Sequence, residues 1–179
     1  TLARKHSWTN ESYTNLYLVD FENDSVKSTP KGLNTKINKF YNESSAVFTK
    51  DGKTMYFTRN NQLKTKAKTD TLNTVLLKIY KATHDGSKWT NVIELPFNSD
   101  NFSCAHPALS PDEKELYFSS NRPGTKGMSD IYKITILEND TFGEPVNLGD
   151  TINTEGRETF PFITQDNVLI FASDARAGL

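Results

Sequence analysis

Apolar and polar residues alternate along this chain in short runs, the period-2 pattern of half-buried strands. The clearest run is Glu115–Ser120, with Leu116 and Phe118 on one side of a pleat and Glu115, Tyr117 and Ser119 on the other. Ser110-Pro111-Asp112-Glu113 precedes it and has turn chemistry: proline presets φ, and the aspartate closes the turn through its own side chain. With the short apolar stretch Pro107–Ser110 in front, this text predicts a β-hairpin. Asn121-Arg122-Pro123-Gly124 ends the hairpin, and a third strand starts at Asp130-Ile131-Tyr132. No helix-period stretch competes with these strands.

The same text recurs. Ala46–Asn60 lies over Pro107–Asn121 position for position, and Pro161–Asp174 matches with one residue deleted. The turn aspartates Asp51, Asp112 and Asp166 are spaced 61 and 54 residues apart. Leu16-Tyr17-Leu18, Ile79-Tyr80-Lys81 and Ile131-Tyr132-Lys133 align as third strands. The segments ending in Asn38, Asn98 and Asn153 align as connections to the next unit. A period near fifty residues with four strands per unit is the signature of a β-propeller, each unit one blade. The predicted fold class is therefore all-β, a propeller of four-stranded antiparallel blades. Residues 1–42 are expected to close a preceding blade, 43–103 and 104–157 to form two blades, and 158–179 to supply the first hairpin of the next. A closed propeller needs at least four blades. The chain is thus expected to be an incomplete fragment of about three blades, its end at Ala177-Gly178-Leu179 interrupting a unit and its terminal apolar edges paired with further sequence, a second copy or a partner.

Element by element, strands are expected at Leu16–Phe21 and Val26–Thr29, with Pro30-Lys31-Gly32 as a break. The hairpin Ser45–Arg59 should lead through a polar insertion, Asn60–Thr74, to strands at Leu76–Thr83 and Lys88–Glu94. In the next blade the third and fourth strands are expected at Asp130–Leu137 and Thr141–Asn147. Phe57, Phe118 and Phe171 occupy one repeat position and should lie buried between blades, with Trp8 at a blade edge and Trp89 at the inter-blade core.

SPDEKELYFSSNRPG…SDIY resembles the TolB-type, WD-like propeller repeat. The stretch from Asn147 to Leu179 resembles the propeller region of OmpA-family envelope proteins of Bacteroidota, whose genes accompany type IX secretion and gliding components. Two departures stand out: the turn glycine survives only as Gly52, with Glu113 and Asn167 elsewhere, and Asp130 is replaced by Lys78 and Asn15 in the other copies.

Composition narrows the classes. Hydrophobic residues make up 35% and charged residues 24%, as in a soluble globular domain rather than a disordered chain. A net charge of −1 argues against a dedicated nucleic-acid binder, and no apolar run has membrane-spanning length. Cys104 is the one cysteine, so no internal disulfide forms. Five Asn-x-Ser/Thr sites are what so Asn- and Thr-rich a sequence produces by chance.

Candidate chemistry is sparse. Gly127-Met128-Ser129 begins like a nucleophile elbow but lacks the closing glycine and precedes a strand, not a helix. Cys104 and His106 stand two apart, so a regular strand would aim both to one side as a nucleophile–base pair or half a metal site, without the remaining ligands. Asp20, Glu22 and Asp24 alternate like the start of a calcium loop, yet the glycine and the final glutamate are missing. Lys64, Lys66 and Lys68 make a basic insertion, read as a solvated loop rather than as a finger touching lipid phosphate or an acidic partner. His106, Arg122, Arg157, Glu158 and Phe160, with Glu155, lie where connecting loops converge on one face, and are the candidate protein-binding rim. No catalytic residue, metal ligand or cofactor site is assigned.

The resemblance implies a non-catalytic scaffold for protein–protein contacts in the periplasm, associated with the outer membrane. Its partner would be an outer-membrane or periplasmic protein linked to type IX secretion or gliding, with peptidoglycan held only through an OmpA-like domain outside this sequence. The alternatives are the accessory propeller of a prolyl-oligopeptidase-like hydrolase and a glycan-binding propeller.

Overall fold

Three hairpins share one turn. In the first, the Thr49 hydroxyl and the Lys53 amide both donate to Asp51 Oδ1 (2.7 and 2.9 Å), and the Thr54 amide donates to Thr49 Oγ1. In the second, Ser110, Asp112, Lys114 and Glu115 repeat these bonds. The third keeps the threonine part, Val168 N–H to Thr164 Oγ1 at 3.0 Å. The residue after each aspartate is left-handed: Gly52 at φ 65°, Glu113 at 60° and Asn167 at 61°. Glycine is thus dispensable here, because the side-chain bonds and the strands on either side hold a conformation that costs other residues about 1 kcal/mol.

These features come from a computed structural model that describes residues 5, 10–39, 42–63, 66–67, 69, 71 and 73–176. In chain order the strands are β1 Tyr17–Leu18, β2 Phe21–Glu22, β3 Ser25–Val26, β4 Lys31–Gly32, β5 Glu43–Phe48, β6 Thr54–Asn60, β7 Gln62–Leu63, β8 Lys66–Ala67, β9 Leu77–His84, β10 Trp89–Glu94, β11 Cys104–Leu109, β12 Glu115–Ser120, β13 Asp130–Thr135, β14 Val146–Asn147, β15 Glu158–Ile163 and β16 Leu169–Ser173. Two antiparallel sheets have four strands, ordered β5-β6-β9-β10 and β11-β12-β13-β14, and β15-β16 is a two-stranded hairpin. β11 lies against β5, β6 and β9 on one side, and β15 lies against β11, β12 and β13 on the other. The sheets stack side by side around their first strands, as blades do in an incomplete β-propeller.

Alternation within a strand divides side chains between the two neighbouring blades. Met55 and Phe57 enter a core with Ile37, Tyr80, Ala82 and Trp89, against Leu16 and Leu33 of the preceding unit. Tyr56 points the other way, into a second core with Ile79, Leu95, Leu109, Leu116, Phe118, Tyr132 and Ile134. Phe57 and Phe118 are fully buried, as expected of that repeat position. Phe171 is only partly buried.

The connections between units are held by one device repeated three times. Asn38 Oδ1 accepts the Leu16 amide and its Nδ2 donates to the Leu16 carbonyl, both at 2.9 Å. Asn98 does the same to Ile79 (3.0 and 2.7 Å) and Asn153 to Ile131 (2.8 and 3.1 Å). Each clamp fastens the segment leaving a blade to that blade's third strand, which satisfies backbone groups beyond the end of regular pairing.

Several boundaries differ from expectation. Lys31–Gly32, expected as a break, pairs with Tyr17–Leu18, whereas Ser25–Val26 closes a tight hairpin on Phe21–Glu22 through left-handed Asn23 and Asp24. The reason is register: the repeat places Gly32 opposite Tyr17 as it places Glu94 opposite Tyr80 and Asn147 opposite Tyr132. The fourth strand expected over Thr141–Asn147 is confined to Val146–Asn147, after a short 3-10 turn at Glu138–Asp140. Trp8 and the side chains of Lys64, Lys66 and Lys68 lie outside the described residues.

Candidate functional site

Each first strand carries a β-bulge at the same place. Register slips between Ser44 and Val47 in β5, between Ala105 and Ala108 in β11, and between Thr159 and Phe162 in β15. The residue inside each bulge is left-handed: Ser45 at φ 48°, His106 at 56° and Phe160 at 50°. A bulge re-aims a side chain that regular pleating would have sent to the opposite face. Here it breaks the expected pairing of Cys104 with His106. Cys104 Sγ lies among Ser120 Oγ (3.6 Å), the Phe97 carbonyl and the Arg122 guanidinium. His106 instead stacks on Phe160, ring centroids 3.8 Å apart, and its amide donates to Thr58 Oγ1 of the neighbouring blade at 2.9 Å.

Around the bulges the first strands form a groove. One part, of about 250 Å³, is lined by Ser45, Val47, His106, Ala108, Phe160 and Phe162. A second hollow of about 200 Å³ lies toward the turns, between Phe48, Lys50, Glu113 and Gln165. Phe48, Phe160 and Phe162 are 48, 58 and 59% exposed, so three phenylalanines offer apolar surface to this groove. Burial pushes the His106 imidazole down to about 4, so near neutral pH it is an uncharged ring, with its Nδ1 buried and unpartnered. The surface is largely apolar and built on strands rather than on loops.

The rim predicted from sequence is divided by the fold. His106 and Phe160 come together in the groove. Arg157 is half exposed and pairs with Asp174: its amide donates to Oδ1 at 2.6 Å and its guanidinium to Oδ2 at 3.1 Å. Glu158 is fully buried, which corrects its place on the rim. Its carboxylate accepts from the Thr154 amide, the Thr154 hydroxyl and the Ser173 hydroxyl at 2.6–2.9 Å. Burial pushes this carboxyl up, but those bonds outweigh it and hold the group below its usual range. Glu43, at the equivalent position of β5, faces Arg59 at 3.3 Å. Its burial dominates and raises the carboxyl to about 7, against the Lys39 amide and the Arg59 charge. Arg122 is half-buried, its guanidinium packed over the rings of Phe102, Phe118 and Tyr132. Ser129 donates its hydroxyl to the Glu158 carbonyl at 3.2 Å.

Sequence reasoning missed Phe48 and Phe162 as groove residues. The available signal was two columns of the aligned repeats, Val47, Ala108 and Phe162, then Phe48, Leu109 and Ile163, each with one ring among smaller groups. Among the described residues no three His, Cys, Asp or Glu side chains gather as a metal site would require. Glu22 pairs with Lys27 rather than with Asp20 and Asp24 around a cation.

No protein-family model matches the chain, and no curated protein matches it. Among solved structures it is similar to the crystal structure of TolB from Acinetobacter baumannii, with 19% identity, 90% of this chain and 33% of that chain covered, and a TM-score of 0.49. The chain spans about a third of that protein's length.

Proposed function

We propose that this chain is a non-catalytic β-propeller module that docks another protein through the groove at its first strands. The observation that carries this reading is the exposed aromatic surface of Phe48, Phe160 and Phe162, presented by β5 and β15 on either side of β11, around the bulges. Exposed apolar rings on a rigid scaffold are the usual anchor of a protein contact, because burying them gains about 25 cal/mol per Å² with little ordering cost. Charge is kept to the edges, at Lys50, Glu113 and Arg157, where it directs approach rather than supplying affinity.

The resemblance of the repeat to Bacteroidota envelope proteins supplies the setting. In this reading the parent protein lies in the periplasm, holds peptidoglycan through an OmpA-like domain, and presents the propeller to an outer-membrane protein of the type IX secretion or gliding apparatus. Among the described residues no helix is long and apolar enough to cross a membrane.

Affinity capture from envelope extracts tests this directly, with the full-length parent as bait. Wild-type bait should recover an outer-membrane partner, and a Phe160→Asp, Phe162→Asp bait of unchanged stability should lose it. Equal recovery by both baits removes the groove from the reading. Recovery of no envelope protein by either removes the setting.

A further inference from the structure

A second surface, separate from the groove, follows from comparing three arginines among the described residues that cover blade phenylalanines. Arg59 lies over Phe57, Arg122 over Phe118 and Arg176 over Phe171, at 4.9–5.6 Å from the ring centroids. Each donates to carbonyls just before a clamp asparagine: Arg59 to Lys36 and Ile37, Arg122 to Phe97, and Arg176 to Thr151 and Ile152. The first strands place an acid near two of them. Glu43 pairs with Arg59, and the charge of Arg176 acts on Glu158. In the middle blade that position is Cys104, since Cys104 faces Ser120 as Glu43 faces Arg59 and Glu158 faces Ser173.

Arg122 therefore has its ring cage but no carboxylate partner among the described residues. Its Nε reaches Ser120 Oγ at 3.3 Å, and its Nη2 reaches the Phe97 carbonyl and Cys104 Sγ at 3.2 and 3.3 Å. Among the described residues Nη1 has no acceptor, and it is not among the polar atoms sealed from solvent. The guanidinium lines a pocket of about 310 Å³ whose other walls are Pro96, Phe97, Phe142 and Pro145, with Glu144 at the edge. A cation held in place by rings is oriented but not neutralised, and an open guanidinium edge matches a carboxylate.

We infer that this pocket binds the terminal carboxylate of a polypeptide whose last residue is apolar. The guanidinium would take the carboxylate, and the Phe and Pro walls would take the adjoining side chain. A chain end fits better than an acidic side chain, because it carries charge and apolar group on one Cα. Glu144 is a like charge and sets a limit on affinity.

The test is a titration of the full chain followed by 1H–15N NMR, with N-acetyl-phenylalanine as probe. Saturable shifts at the Arg122 Nε–H and at the Phe97 and Gly143 amides are expected. N-acetyl-phenylalaninamide, which lacks the carboxylate, should bind at least about tenfold more weakly, and N-acetyl-aspartyl-phenylalaninamide should fall between them. Cys104→Glu supplies the acid that the other two blades have, and should weaken N-acetyl-phenylalanine at least about tenfold. Glu144→Gln, a surface change that leaves the core intact, should tighten it about threefold. Equal binding of acid and amide overturns the inference, as does tighter binding of the aspartyl probe. Unchanged affinity in a folded Cys104→Glu protein also overturns it; if that variant does not fold, unchanged affinity in Glu144→Gln does so.

Discussion

The imidazole of His106 lies face to face with the ring of Phe160, centroids 3.8 Å apart and planes inclined by 24°. Both residues are left-handed and both sit inside a bulge, so the contact joins equivalent points of two successive first strands. An uncharged ring suits this place, since Phe160 covers one face of it and its buried Nδ1 has no partner among the described residues.

That environment predicts a pH dependence with two opposing parts. The folded-state value of His106, about 4, is below its ordinary 6.5. Its contribution is therefore complete above 6.5 and is lost as pH falls toward 4. Glu43 has the reverse sign: its value is raised from 4.5 to about 7, so its contribution is complete below 4.5 and is lost as pH rises toward 7. Urea midpoints between pH 4 and 7.5 should show the two partly cancelling. His106→Asn should leave a profile that falls with rising pH, and Glu43→Gln one that falls with acid. A His106→Asn profile parallel to wild type would refute the assignment.

The asparagine clamps should be among the most sensitive polar positions. Asn153 is fully buried and bonds both backbone groups of Ile131. Asn153→Ala leaves a buried N–H and C=O unsatisfied and should cost about 2–4 kcal/mol. Asn153→Asp keeps the acceptor but turns a carboxylate toward a carbonyl, so it should cost at least as much. Chemical denaturation measures both, and a loss below about 1 kcal/mol for either would show the clamp to be incidental.

Gly127 and Gly52 are predicted to differ sharply. A Cβ on Gly127 would sit about 2.5 Å from the Thr154 carbonyl oxygen and close to the backbone of Glu155 and Gly156, where β13 meets the next unit. All three contacts are with backbone of one segment, which has little room to adjust, so Gly127→Ala should cost about 2 kcal/mol or more, in the range of overpacked sites. A Cβ on Gly52 meets open space, and only its φ of 65° opposes alanine, at about 1 kcal/mol. Thermal midpoints of the two variants should separate by several degrees.

Phenylalanines at one repeat position should not be equivalent. Phe118 is fully buried, stacked with Phe97 at 4.8 Å and covered by Arg122. Phe118→Ala should cost about 3–5 kcal/mol. Phe171 is only partly buried, and truncating it should cost clearly less, a difference that denaturation of the two variants would expose.

Much of this fold is legible in the amino-acid order because the features that set it are local. Thr49 and Asp51 bond within their own turn, as do Ser110 and Asp112, so spacing alone marks the hairpins and their period. Alternation at Leu116 to Ser119 correctly divides the side chains between neighbouring blades, because uninterrupted pleating has a period of two. Lys31–Gly32 shows where local rules mislead: Pro30 and Gly32 read as a break, yet the Asn38 clamp beside them holds the strand in register. The site depended on tertiary structure for two reasons. A single extra residue in β11 sends His106 to Phe160 and away from Cys104, and no period-2 rule announces a bulge. Arg59 aligns with Ser120 and not with Arg122, yet both guanidinium groups cover the same phenylalanine position, since long side chains reach one place from different points on the backbone. Sequence determined the blades and their repetition; packing between blades decided which charges are buried, which rings are exposed and which arginine has no acid beside it among the described residues.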